Sequence, residues 1–342
     1  MIKEAIGKVV TGVDLGEQEM IAAMNEIMSG DATPAQIGAF ITGLRMKGET
    51  VDEITGAARV MREKATRIDT GVAVASGDVL VDTCGTGGDS SGTFNVSTTA
   101  AFVVAGSGLP VAKHGNRSVS SHCGSADVLE ALGVDLNMAP ERVGRCVQEV
   151  GIGFLFAPML HGAMKYAIGP RRELGIRTIF NVLGPLTNPA GANIQVLGVY
   201  DPDLCETLAG VLGRLGAKRA LVVCGEGNLD ELTVTGATKV ADLHEGSVTT
   251  YTVHPGDVGL ERASLTELSG GDTPAESAAL LKDVLLGVPG PRLDMVLLNS
   301  GAALLAAGKA ANLQDGVELA REVIESGKAM AKLESLIAFC QD

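Results

Sequence analysis

Positive charge is scarce in this 342-residue sequence, where 27 Lys and Arg face 41 Asp and Glu for a net charge of −14. A chain of that sign has no overall electrostatic grip on nucleic acid or anionic lipid. Any anion it binds must be held by a local cluster of cations and backbone amides. No apolar run approaches the roughly 20 residues of a membrane span, and the opening Met1-Ile2-Lys3-Glu4 lacks the apolar core of a signal peptide. The cysteines (Cys84, Cys123, Cys146, Cys205, Cys224 and Cys340) form no C-x-x-C pair and no zinc-type spacing, which predicts free thiols in a reducing compartment. Together these absences predict a cytoplasmic protein that binds neither nucleic acid nor membrane. No Ser/His/Asp or Cys/His set can be ordered along the chain. His122, Cys123, His161, His244 and His254 are therefore read as loop or core residues.

Aromatic residues are also few, at 3%, while hydrophobic residues reach 46% and glycines number 45. That balance suits a large core of helices and strands joined by tight turns that bring backbone close to a ligand. The length allows two domains, or one with a substantial insertion. The first seventy residues read as helices alone. Met20, Ile21, Met24, Ile27 and Met28 share one stripe. Thr33 then serves as an N-cap before Pro34, Gly48 ends that helix, and Thr50 with Glu53 forms a capping box. This stretch carries no obvious chemistry and is read as a packing or association module.

From Val79 the pattern changes. Strand-like runs at Val79–Val81, Pro110–Ala112, Gly151–Phe156, Gln195–Tyr200 and Ala220–Cys224 alternate with helical stretches, which predicts a parallel sheet with crossover helices. Lys239–Val253 alternates like an antiparallel hairpin, and helices return from Ala275. The predicted fold class is thus α/β: a small all-helical domain plus a larger α/β domain with a mainly parallel central sheet. Met164–Pro189 stands apart, with Lys165, Arg171, Arg172 and Arg177 followed by turn-rich Gly184–Pro189. It reads as a hinge or a return to the helical module.

Three constellations carry chemistry. The first, Asp82-Thr83-Cys84-Gly85-Thr86-Gly87-Gly88-Asp89 running on to Thr93 and Asn95–Thr99, is a strand opening into a glycine-rich loop and a polar helix start. Glycines turn backbone N–H groups toward an anion, and the helix N-terminus adds positive potential. It is neither a P-loop nor a dinucleotide fingerprint, because the Gly-Lys-Ser/Thr step and the required glycine spacing are missing. The second, Lys113-His114-Gly115-Asn116-Arg117-Ser118-Val119-Ser120-Ser121, gathers cations, an amide and hydroxyls after the next strand. Charge-assisted contacts of this kind to phosphate contribute about 1.5–3 kcal/mol each. Ser125 opens the following helix as either a phosphate donor or a cap. Both loops leave the C-terminal ends of parallel strands, where open α/β sheets place ligands. The third, Asp230-Glu231, is a loop carboxylate pair suited to Mg²⁺, which favours one or two carboxylates with phosphate oxygens and water.

At these residues the sequence resembles the anthranilate phosphoribosyltransferases. The likeness runs through Asp82–Asp89, Asn95–Thr98, Lys113–Ser121, Leu174–Pro189 and Asp230-Glu231-Leu232-Thr233, in the family's order and across most of the chain. It departs at Val111-Ala112, His122-Cys123, Gly162 and Pro170. The resemblance implies a helical domain of residues 1–70 plus about 168–190, and an α/β domain of 71–167 and 191–342. It assigns phosphoribosyl pyrophosphate to Gly85, Gly88, Asp89, Thr93, Asn95, Val96, Ser97, Thr98, Lys113, His114, Gly115, Asn116, Arg117, Ser118, Val119, Ser120, Ser121 and Ser125. Mg²⁺ falls to Ser97, Asp230 and Glu231, and anthranilate to Gly85, Asn116 and Arg171. Counting back from Leu174-Gly175 selects Arg171 over Arg172. Asn116, Arg171 and His114 are the candidate catalytic residues, with His114 as a proton acceptor, and a homodimer through the helical domain is expected. A pyrimidine-nucleoside phosphorylase-like enzyme and a non-catalytic nucleic-acid-binding relative are the alternatives. The Lys-His-Gly-Asn run, the Asp230-Glu231 pair and the acidic charge argue against them.

Overall fold

The computed structural model describes residues 1–89, 91–118 and 123–341. Four helices come first: α1 (Ile2–Val9), α2 (Glu17–Ser29), α3 (Pro34–Lys47) and α4 (Val51–Lys64). Their starts obey the capping chemistry. Thr33 Oγ1 accepts from Gln36 N at 3.3 Å, and the Thr50 and Glu53 side chains and backbones bond reciprocally at 3.3 and 2.8 Å. The Glu53 carboxylate, fully buried, also accepts from Leu15 N and Lys47 Nζ at 2.9 Å each. The Met20, Met24 and Ile27 stripe is sealed in the core of this bundle.

The larger part is built on seven strands: β1 (Val81–Gly85), β2 (Val111–Gly115), β3 (Ile152–Phe156), β4 (Ile194–Gly198), β5 (Arg219–Gly225), β6 (Thr238–His244) and β7 (Ser247–Val253). Their order is β3-β2-β1-β4-β5-β6-β7, with the first five parallel and the last two antiparallel. Side chains alternate between two cores. Val196, Leu221 and Val223 face α5 (Val96–Gly106), α6 (Ser125–Ala131) and the C-terminal helices. Leu197, Ala220 and Val222 face helix Leu204–Arg214 and the N-terminal bundle. The molecule is thus a small helical domain against a larger α/β domain.

Two strands sit further along than their apolar runs predict. β1 continues through Asp82-Thr83-Cys84-Gly85, and β2 through Lys113-His114-Gly115. Periodicity reading stops at a charged residue, but these charged side chains are buried and paired within the sheet. The segment after β3 returns to the bundle: Phe180, Val182, Leu183 and Leu186 join the same core as α2–α4. Arg62 Nε of α4 also donates to Leu186 O at 2.7 Å.

Candidate active site

Four strands end in glycine at the same edge of the sheet: Gly85, Gly115, Gly198 and Gly225. Gly85 and Gly198 are register partners, and the loop carrying Asp230 lies across both. A Cβ on Gly198 would stand 1.5 Å from Asp230 O, and one on Gly85 would stand 2.3 Å from Asp230 Oδ2. Only hydrogen fits at these two positions, and that lets the carboxylate loop fold down over the strand ends.

The first glycine loop meets this carboxylate loop directly. Gly87 N donates to Asp230 Oδ2 at 2.6 Å, and Asp230 N approaches Asp89 Oδ2 at 3.5 Å. Glu231 Oε1 accepts from Ser97 N at 3.1 Å in the first turn of α5. The polar Asn/Ser/Thr cluster is expected to cap that helix, yet the cap comes from Glu231. Asn95 instead turns its amide to Cys123 O at 3.1 Å. A carboxylate at a helix N-terminus is favoured by the free N–H groups and the dipole.

Lys113 is the cation whose charge acts on Glu231. No Lys, Arg or His among the described residues forms an ion pair with Asp89, Asp230 or Glu231. Desolvation, and then the Asp89 charge, pushes Asp230 up to about 7. Desolvation and Asp230 push Glu231 well above the usual carboxylate range. Among the described residues no three His, Cys, Asp or Glu side chains are grouped as a metal cage. The arrangement fits a hard cation that takes one or two carboxylates and completes its shell with ligand oxygens and water, as Mg²⁺ does.

Lys113, 3% exposed, runs inward from β2 and donates from Nζ to Thr83 O at 2.6 Å and to Ser97 Oγ at 3.4 Å. It links the second anion loop to the foot of α5. His114 N donates to Asp82 Oδ1 at 3.1 Å, and its ring nitrogen Nε2 lies 3.1 Å from His161 Nε2. Burial first, then His161 and Lys113, brings His114 down to about 3, and burial brings His161 down to about 4. Both rings are neutral at pH 7, and such a ring is a weak proton acceptor.

The rest of the second loop is held by α6. Ser125 Oγ exchanges bonds with Asn116 N and Asn116 O at 3.1 Å, and Asn116 itself is exposed. Arg117 turns its guanidinium to Asp127 at 2.8 Å and to Glu130 at 2.8 and 3.0 Å, away from the glycine loop. Ser118 N and Gly124 N both donate to Asp127 Oδ2, at 3.1 and 2.9 Å. The Val96 and Thr98 side chains are buried in the core, and Val96 N is taken by Phe94 O. Thr93 forms a bridge with Ser269. Val119, Ser120 and Ser121 lie outside the described residues.

Arg171, on helix Lys165–Leu174, is half-buried with its guanidinium 5.1 Å from the Phe180 ring centroid, whereas Arg172 is exposed. Arg171 forms no ion pair among the described residues and is desolvated, which lowers its pKa.

Three members of this region have partners that local pattern does not identify. Asp82, fully buried and raised to about 6 by burial, accepts from Asn188 Nδ2 at 2.8 Å. Asn188 also donates to Ala112 O at 2.8 Å, tying the turn-rich segment to β1 and β2. Arg177 donates to Gly88 O. An acid within a buried strand hints that some distant donor must exist; nothing local identifies which.

Residues 3–65 match the helical bundle domain of a glycosyl transferase family, and residues 77–330 match that family's a/b domain. An anthranilate phosphoribosyltransferase from Desulfotalea psychrophila is 64% identical over 338 residues, covering 99% of this chain and 97% of the relative. One from Moorella thermoacetica is 60% identical over 341 residues, covering 100% and 99%. Among solved structures, the anthranilate phosphoribosyltransferase of Thermus thermophilus superposes with a TM-score of 0.93 at 47% identity, covering 99% of both chains. The Saccharomyces cerevisiae enzyme in complex with PRPP and Mg does so with 0.88 at 29% identity, covering 99% of this chain and 98% of that one. With both its helical and its α/β part matched over their length, the chain belongs to the anthranilate phosphoribosyltransferase family.

Proposed function

We propose that this chain transfers the 5-phosphoribosyl group of phosphoribosyl pyrophosphate to the amine of anthranilate in tryptophan biosynthesis. The products are N-(5-phosphoribosyl)anthranilate and pyrophosphate. The observation that carries this reading is the set of carboxylates Asp89, Asp230 and Glu231, which form no ion pair among the described residues, gathered at the first glycine loop. The matches to relatives of that name favour it over nucleoside phosphorolysis.

Asp230 and Glu231, with Ser97 beside them, would hold Mg²⁺, which neutralises pyrophosphate charge when bound. The first glycine loop and the positive end of the α5 dipole border the same ligand. Lys113 adds a buried positive charge beneath it. Arg171 pairs with the anthranilate carboxylate, for which a guanidinium fork is suited, and Asn116 orients the amine. The C1′–O bond to pyrophosphate breaks as the C1′–N bond forms, and catalysis is mainly placement and stabilisation of leaving-group charge. The amine proton leaves with the pyrophosphate, a better acceptor than the depressed His114 ring.

On this reading residues 1–70 with about 168–190 form one domain, and 71–167 with 191–342 the other. The exposed apolar residues Val10, Val13 and Met46 lie on the helical part, where a homodimer contact is expected. The cytoplasm is the expected compartment; no helix among the described residues is long and apolar enough to cross a membrane. The test is loss of anthranilate fluorescence in purified protein. Loss that needs phosphoribosyl pyrophosphate and Mg²⁺ together supports the reading, and no loss in folded protein at any Mg²⁺ concentration overturns it.

A further inference from the structure

Arg177 lies between helix Lys165–Leu174 and helix Phe180–Leu183, in a turn where an arginine would ordinarily extend into solvent. It does not. The residue is half-buried, its guanidinium carbon sits 4.0 Å from the centroid of the buried Tyr200 ring, and its Nη2 donates to Gly88 O. Among the described residues it forms no ion pair. A delocalised, weakly hydrated cation stacked on a ring and aimed at one carbonyl is held in a single geometry.

The carbonyl it holds belongs to the first glycine loop. Gly88 adopts φ +74°, a left-handed turn that carries the chain from Gly87, bonded to Asp230, into Asp89. The same stretch carries Arg171 six residues earlier, over Phe180. One short segment therefore holds one guanidinium over Phe180 and presents another to the first glycine loop.

We infer that Arg177 is a positioning residue that fixes the Gly85–Asp89 loop, and with it the Asp89 and Asp230 carboxylates, for phosphoribosyl pyrophosphate. It acts through Gly88 and Tyr200 and touches no reacting atom. This inference rests on the function proposed above and adds a residue to the phosphate side of that site. Losing one charge-assisted hydrogen bond is worth roughly a ten- to hundred-fold change in an equilibrium constant.

The experiment compares wild type, Arg177→Ala, Arg177→Lys and Tyr200→Leu. Calorimetry measures binding of phosphoribosyl pyrophosphate with Mg²⁺, steady-state fluorescence gives KM for each substrate, and circular dichroism follows melting. Arg177→Ala should weaken phosphoribosyl pyrophosphate binding, and raise its KM, by roughly ten-fold or more. The anthranilate KM at saturating co-substrate should stay within about two-fold, giving a split that a general loss of structure would not produce. Arg177→Lys should fail to rescue, since an ammonium has neither the flat face nor the fork. Tyr200→Leu, which removes the ring that Arg177 stacks on, should weaken phosphoribosyl pyrophosphate binding in the same direction as Arg177→Ala. Arg177→Ala binding within about two-fold of wild type, or an equal rise in both KM values with a collapsed melt, overturns the inference. Wild type without turnover would instead defeat the functional reading, so the two failures are distinguishable.

Discussion

Gly198→Ala tests the site through a residue that contacts no ligand. The new methyl would fall 1.5 Å from Asp230 O and 2.1 Å from Asp230 C, under half to about three-fifths of a normal non-bonded separation of roughly 3.5 Å. The neighbour is backbone, so no rotamer change relieves the overlap, and the Asp230 peptide must retreat by about 2 Å. Metal ligands tolerate about 0.2 Å, and a misplacement near 1 Å typically costs about a hundred-fold in rate. Retreat also breaks the 2.6 Å bond from Gly87 N to Asp230 Oδ2, loosening the glycine loop from the other side. The expected result is kcat/KM for phosphoribosyl pyrophosphate lowered about a hundred-fold, with the Mg²⁺ requirement raised at least about ten-fold. Overpacking should lower stability by about 1–3 kcal/mol and leave the protein folded. Gly210→Ala is the control: it lies on helix Leu204–Arg214 with its nearest neighbour at 4.0 Å, and should be neutral or stabilising by under about 1 kcal/mol. Magnesium titrations of initial rate, with melting curves beside them, decide the matter. A Gly198→Ala enzyme that keeps wild-type Mg²⁺ dependence would refute the argument that the strand ends must be bare for the carboxylate loop to seat.

Arg171→Ala should raise the anthranilate KM at least about ten-fold, while Arg172→Ala, at an exposed position, should change it little; equal effects would move the carboxylate partner elsewhere. Glu231→Gln keeps an acceptor for Ser97 N but removes a shielded charge. It should abolish Mg²⁺-dependent phosphoribosyl pyrophosphate binding while leaving the metal-free melting temperature equal or higher, and a lower one would mean that the charge itself stabilises the fold. His161 is held near 4 against an ordinary 6.5, so its contribution to stability is complete above about 6.5. It is lost as pH falls toward about 4, because the unfolded chain takes up the proton first, a loss of at most about 3 kcal/mol. Urea midpoints at pH 7.5 and 5 should therefore converge in His161→Gln relative to wild type, and unchanged spacing would refute the assignment.

Local pattern was enough for the helices and their ends, because a cap or a stripe involves residues three or four apart. Thr33-Pro34, the Thr50/Glu53 box and the Met20–Ile27 stripe stand where their spacing puts them. The alternation of apolar runs likewise carried the parallel sheet and its hairpin, and glycine-rich turns after strands marked the ligand edge. The charged ends of β1 and β2 escaped, since Asp82 and Lys113 belong in a strand only when Asn188, Thr83 and Ser97 meet them there. Their alternation told of loops; burial by distant partners made them sheet.

The same limit governs the site. Sequence by itself determined which chemistry is present: glycine loops, a cation cluster and a carboxylate pair on an acidic chain. Only the tertiary structure decided the partners. Glu231 caps a helix that begins more than a hundred residues earlier, Arg117 turns to Asp127 and Glu130, and Arg177 reaches back to Gly88. Each pairing depends on strand order and crossover placement, through which the sheet aligns Gly85 with Gly198 and lays Asp230 across both. A residue's type sets what it can bind, but the free energy of a buried charge is settled by whichever group the fold brings within hydrogen-bonding distance.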